Sequence, residues 1–151
     1  MQNNLASRYE EVGKTEYAIG TRQEVYSGFL RLKGEHHEWT LTSAICYAST
    51  LMNLQRYGEA KALMRKLTPV ARRSLGDSHG ITLQMRWNYA RALCYDPSAT
   101  LADLREAITK LEDLAPTARR LLGGTHPHTT GIQTTLRNAR EALRAREPGT
   151  S

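Results

Sequence analysis

One block of eight residues occurs three times in this chain, and it leaves few folds open. Gly34-Glu35-His36-His37-Glu38-Trp39-Thr40-Leu41 returns 42 residues on as Gly76-Asp77-Ser78-His79-Gly80-Ile81-Thr82-Leu83, and a further 47 on as Gly123-Gly124-Thr125-His126-Pro127-His128-Thr129-Thr130. Gly, His and Thr keep register in all three copies. The stretches just upstream agree too: Pro69-Val70-Ala71-Arg72-Arg73-Ser74-Leu75-Gly76 matches Pro116-Thr117-Ala118-Arg119-Arg120-Leu121-Leu122-Gly123 at six of eight positions. A period of this length marks an array of supersecondary units, each unable to bury its apolar face without a neighbour.

Inside each unit the apolar residues recur at three and four, the spacing of amphipathic helices. Leu5-Ala6 with Tyr9, Tyr47-Ala48 with Leu51, and Tyr89-Ala90 with Leu93 open the units, each stripe holding one small residue. A second helix is expected after a break near Gly13-Lys14, Gln55-Arg56 or Asp96-Pro97-Ser98, again with an early small residue at Ala18, Ala60 or Ala107. Small residues facing one another let two helices pair closely. The five extra residues of the third unit fall around Asp96 to Thr100, where Pro and small polar residues predict a loop.

The Gly-x-x-His-x-x-Thr frame has a mechanical reading. Gly supplies a left-handed helix stop, and Pro127 suits the first position of the helix that follows. His37, His79 and His126 then stand at helix entrances as caps or packing groups. They are not expected to bind a metal, because equivalent residues of a repeat array lie one unit apart and do not converge. Pro69 and Pro116 fall inside second helices and are expected to bend them.

Composition narrows the class. No apolar run is long enough to span a membrane, and the first residues, MQNNLASRYEE, lack a basic start and an apolar signal segment. Cys46 and Cys94 are too few and too far apart for a disulfide framework or a CxxC zinc site, which points to a reducing, cytoplasmic compartment. The net charge of +6 comes in blocks: residues 61–91 carry seven basic groups against one acidic, and residues 92–115 two against five. Solvated helix faces explain this arrangement, an acidic protein partner is the next reading, and RNA comes last because no long basic stripe with interleaved aromatics occurs. Without a Gly-rich phosphate loop, HExxH or GxSxG, no enzyme activity and no cofactor are expected. Both cysteines fit apolar helix positions as inert thiols.

These residues resemble the tetratricopeptide repeats of the kinesin light chain type, whose unit is 42 residues long, over nearly the whole chain. Family units read approximately L-G-x-x-H-P-x-T-L, then N-L-A in the first helix and E-A in the second. Asn4-Leu5-Ala6, Asn88-Tyr89-Ala90, Glu59-Ala60 and Glu106-Ala107 match, together with the Gly-His-Thr frame. Cys46 replaces the expected Asn, Glu38 and Gly80 replace Pro, and Arg86 stands at a usually apolar position. The resemblance implies an all-α, right-handed superhelical α-solenoid: a single domain over residues 1–147 with units about 1–34, 35–76 and 77–123, a capping helix 127–146 and a tail 148–151. That makes seven helices, three hairpins and a cap. The first unit has no Gly-His-Thr entrance ahead of it, so an upstream segment or a covering partner is expected there.

The resemblance further implies a scaffold or adaptor whose first helices line a concave groove for an extended peptide or a partner's helix. By helical phase the groove candidates are Asn3, Ser7, Ser49, Asn53, Trp87, Asn88, Arg91, Thr134 and Asn138. Asn both donates and accepts and so suits a peptide backbone, Arg91 suits a carboxylate, and Trp87 an apolar side chain. Asn88 could instead bridge helices and Trp87 belong to the core. Arg72-Arg73 and Arg119-Arg120 belong to the other surface. Two further readings stay open: a structural subunit docking through its N-terminal face or self-stacking, and a helical-repeat RNA binder.

Overall fold

The computed structural model describes the backbone of residues 2–147 and the side chains of residues 11–147. Six helices follow one another among the described residues: α1 (Gln2–Lys33), α2 (Glu38–Asn53), α3 (Tyr57–Leu75), α4 (Gly80–Cys94), α5 (Leu101–Leu122) and α6 (Pro127–Arg146). No helix among them is long and apolar enough to cross a membrane. The protein is all-helical, and each helix packs mainly on its neighbours in sequence, as stacked hairpins do. The packing has two layers. α4 touches both α2 and α6, whereas among the described residues the backbones of α1, α3 and α5 stand apart from one another.

All three copies of the repeated block fold alike. Gly34, Gly76 and Gly123 have φ of 85°, 92° and 94°. For Gly76 and Gly123 ψ is 162° and 155°, an extended mirror-image conformation open essentially to glycine alone, beyond the left-handed helical stop expected from sequence. Their N–H groups still close the preceding helix, on Arg72 O and Arg119 O. The histidines then cap the next helix. Nδ1 of His37, His79 and His126 accepts the backbone N–H of Trp39, Ile81 and His128, each at 3.1 Å. Imidazole here does the work that Ser or Asp does at most helix starts. Pro127 occupies the first turn of α6, where it forfeits no hydrogen bond.

The threonines tie each entrance to the helix before it. Buried Thr82 Oγ1 donates to Ala71 O (3.4 Å) and buried Thr129 Oγ1 to Ala118 O (3.3 Å), bridging α3 to α4 and α5 to α6. In the first copy the corresponding carbonyl belongs to Phe29, and buried Thr40 Oγ1 has no partner. Ala48, Ala60, Ala90 and Ala107 are completely buried, which is the close approach their size permits. Leu41, Leu51, Met64, Leu67, Met85, Leu93, Leu104, Leu111, Leu114 and Ile132 fill the space between, each contributing about 1.5–3 kcal/mol by leaving water.

Two of the three expected breaks exist. Between α2 and α3 the chain turns through Gln55 at φ 61°, with Arg56 N–H closing on Leu51 O at 2.8 Å. Between α4 and α5, Asp96 Oδ1 accepts Ser98 N–H (2.9 Å), and Thr100 with Asp103 forms a reciprocal capping box. The backbone N–H of Thr100 holds the Asp103 carboxyl below its ordinary pKa. The break expected near Gly13-Lys14 does not form. α1 runs through it as one 32-residue helix, which makes six helices and not seven. Neither a proline nor a positive-φ residue interrupts the chain there, and open space surrounds Gly13, so its small size costs only helix propensity. The side chains of Asn3 and Ser7, and the tail 148–151, lie outside the described residues.

Replacing Gly76 by Ala forces a Cβ into the mirror-image region and should cost about 1–3 kcal/mol. Urea unfolding of Gly76→Ala beside Gly58→Ala, where the glycine is helical and unobstructed, checks it: only the first should lose stability on that scale.

Candidate functional site

The 42- and 47-residue steps carry Ser49 of α2 onto Arg91 of α4 and Asn138 of α6, so these three candidates form one row across a layer. Trp87 and Thr134 form the next row. Trp87 is half-buried and reaches from α4 to α6, where its Nε1 donates to Thr135 Oγ1 (3.0 Å), which in turn donates to Gly131 O (2.9 Å). Its ring lies directly on the α6 backbone. A Cβ on Gly131 would fall 2.5 Å from two ring carbons, so only glycine permits this approach. The His128 ring flanks the same indole, with centroids 5.7 Å apart.

One turn further along α4, the Arg91 guanidinium stands 5.3 Å over the Trp87 ring. Its Nη1 reaches Asn88 Oδ1 at 3.4 Å, a long contact. Both partners are uncharged. Asn88 itself is 2% exposed and its Nδ2 has no hydrogen-bond partner, so it lies beneath Arg91 and not on the open surface. Tyr95, at the end of α4, receives a hydrogen bond on its hydroxyl from Asn138 Nδ2 (3.1 Å). Trp87, Arg91, Tyr95, Pro127, Thr130 and Thr134 together line an open cleft between α4 and α6. Four of the sequence candidates therefore gather here: Trp87, Arg91, Thr134 and, through Tyr95, Asn138. Ser49, half-buried, and Asn53, exposed, lie on α2 outside the cleft.

On the opposite side lies a polar cluster that sequence reasoning missed. Tyr89 donates to Glu106 Oε2 (2.7 Å) and accepts from Arg65 Nη2 (3.0 Å), which joins α3, α4 and α5. Burial, then the bond to Glu106, pushes the Tyr89 hydroxyl above its ordinary pKa. Arg86, unusual at its repeat position, pairs with Asp113 at 2.9 Å across α4 and α5, and Arg72 pairs with Asp77 at 2.6 Å. Arg86 was the one signal available in the sequence. These charges are satisfied within the protein, so the cluster reads as cross-linking between helices.

A third, largely apolar groove opens between α1 and α2, lined by Arg22, Val25, Phe29, Trp39, Thr42, Ser43 and Cys46. Cys94 is buried, and desolvation pushes its thiol up to about 11. Among the described residues no group of three or more His, Cys, Asp or Glu side chains converges as metal ligands would. Compared with known protein families and with characterised proteins, the sequence matches none.

Two measurements follow from this geometry. Gly131→Ala should displace the Trp87 ring, cost about 1–3 kcal/mol as overpacking, and red-shift the emission of Trp87 read in a Trp39→Phe background. At pH 9.0, the thiol's ordinary pKa, native Cys94 should resist alkylation and react only on unfolding, seen by mass spectrometry of the labelled peptide. Labelling of native Cys94 at the unfolded rate would contradict its burial.

Proposed function

We propose that the chain is a repeat protein resembling the tetratricopeptide repeats of the kinesin light chain type, and that it acts as a non-catalytic scaffold. Its α2, α4 and α6 layer would receive an extended peptide or a partner's helix as the concave side of a short solenoid. Supporting this are the three histidine-capped helix entrances, the all-helical succession of neighbours, and the closer approach of α2, α4 and α6 than of α1, α3 and α5.

The observation that carries the functional reading is the Trp87–Arg91 pair beside the open cleft. Arg91 has an amide oxygen and a ring face for neighbours in place of a carboxylate, so a carboxylate brought by a ligand would gain a charge-assisted, bidentate partner. Trp87 offers an apolar anchor beside it, and Tyr95 with Thr134 adds polar contacts at the rim. The favoured ligand is a peptide with an acidic side chain or a free C-terminal carboxylate next to an apolar residue. The unpaired thiols fit a reducing, cytoplasmic setting. A structural subunit of a larger assembly is the second reading, and the open α1–α2 groove favours it.

Screening the Trp39→Phe chain against acidic peptides with free C-termini, read by Trp87 emission, tests the first reading. Arg91→Glu should weaken the tightest peptide by at least about tenfold, as one charge-assisted bond with its sign reversed, and leave helix content and melting unchanged. Arg73→Glu, on exposed α3 surface, should change neither. Undiminished binding by folded Arg91→Glu would sink the cleft as the site.

A further inference from the structure

Every helix of the α1, α3, α5 layer meets its successor at a seam, and two of the three seams are roofed by a third helix. α2 touches both α3 and α4, and α4 touches both α5 and α6. The seam between α1 and α2 has no such roof, because among the described residues α1 touches α2 alone. The repeat register identifies what is left uncovered. Met64, Leu67 and Ala71 of α3, and Leu111, Leu114 and Ala118 of α5, are fully or almost fully buried. Their counterparts 42 residues before the first set are Arg22, Val25 and Phe29, of which Arg22 is exposed, Val25 is 42% exposed and Phe29 is only half-buried. Across the seam Trp39 is 57% exposed and Cys46 half-buried, and Thr40 keeps its unbonded hydroxyl. The α1–α2 groove is thus a helix seat of the kind that α2 and α4 fill at the next two seams.

The sequence contains a segment with the pattern of the missing roof. Leu5-Ala6 with Tyr9 stands 42 residues ahead of Tyr47-Ala48 with Leu51 in α2, and 84 ahead of Tyr89-Ala90 with Leu93 in α4. That segment lies in the first half of α1. Because α1 continues unbroken through Gly13, its first half extends along the helix axis and cannot fold back over its own seat. We propose that a second copy of the chain supplies the roof: two chains exchange the first halves of α1, each seating its Leu5-Ala6-Tyr9 stripe in the other's groove between Val25, Phe29, Trp39 and Cys46. Exchange preserves a contact of the same design as the two intrachain ones and needs no bend at Gly13. Its residues are separate from the Arg91 cleft, so the two readings fail independently.

Light scattering over a concentration range, with thiol cross-linking, tests this. The chain should reach twice 17.0 kDa, and Arg91→Glu should leave that mass unaltered. In a Cys94→Ser background, Ala6→Cys and Tyr9→Cys are each treated with a short bismaleimide to link the introduced thiol to Cys46. At least one should yield a covalent two-chain product. Gly13→Pro, which breaks α1 and lets its first half fold back, should favour the monomer. A monomer at all concentrations overturns the proposal, as does a cross-link within one chain, which would mean that α1 breaks and roofs its own seat. A dimer in which neither thiol reaches Cys46 of the other copy also overturns it, since another face would then be responsible.

Discussion

The contact on which the rest of this structure depends is the passage from one helix into the next at the Gly-His-Thr frame. Gly76 and Gly123 turn the chain through a conformation barred to other residues. Three residues later a histidine ring nitrogen caps the new helix, and three further on a buried hydroxyl reaches back to the preceding helix, at Ala71 or Ala118. Direction, start and lateral distance of the incoming helix are thereby fixed within seven residues. The buried alanines then permit close pairing, and the leucine and methionine core fills the space so defined. The first copy has the Gly turn and the His cap but lacks the hydroxyl bridge, and the seam it governs is the one left open.

Most of this frame was legible in the sequence because its signals are local. A cap, a positive-φ glycine and a Pro at a helix start each act within a few residues, and repetition at 42 and 47 residues separates them from coincidence. The continuity of α1 was not legible, since the repeat pattern argued for a hairpin while the turn chemistry was absent. Gly13 weakens a helix without stopping one. Gln55 and the Asp96-Pro97-Ser98 loop show what a stop requires: a residue held at positive φ, or a proline with side chains that bind the freed backbone groups.

The candidate cleft was legible in part. Helical phase put Trp87, Arg91, Thr134 and Asn138 on one side of their helices, and the structure gathers them. Phase does not give depth. Asn88 shares the stripe but sits almost wholly buried under Arg91, whereas Trp87 beside it lies on the α6 backbone at Gly131. That contact joins residues 44 apart and leaves no local trace. The same holds for the Tyr89, Glu106 and Arg65 cluster, whose members read one at a time as ordinary solvated charges and a core tyrosine.

The two sides of α4 differ in a way that bears on which one would meet the partner we propose. Toward α3 and α5, Arg86 has Asp113, and Tyr89 has both Glu106 and Arg65, so a ligand there would have to displace carboxylates already in place. Toward α6, Arg91 holds a position of equal reach with only weak neutral neighbours, and Trp87 is fixed by Thr135 and Gly131 without being covered. A rigid aromatic face beside an arginine without a countercharge loses little conformational entropy on binding and gains most from an incoming anion. In the scaffold role proposed above, the difference in pairing, more than any difference in total charge, favours the α4–α6 cleft over the other side of α4.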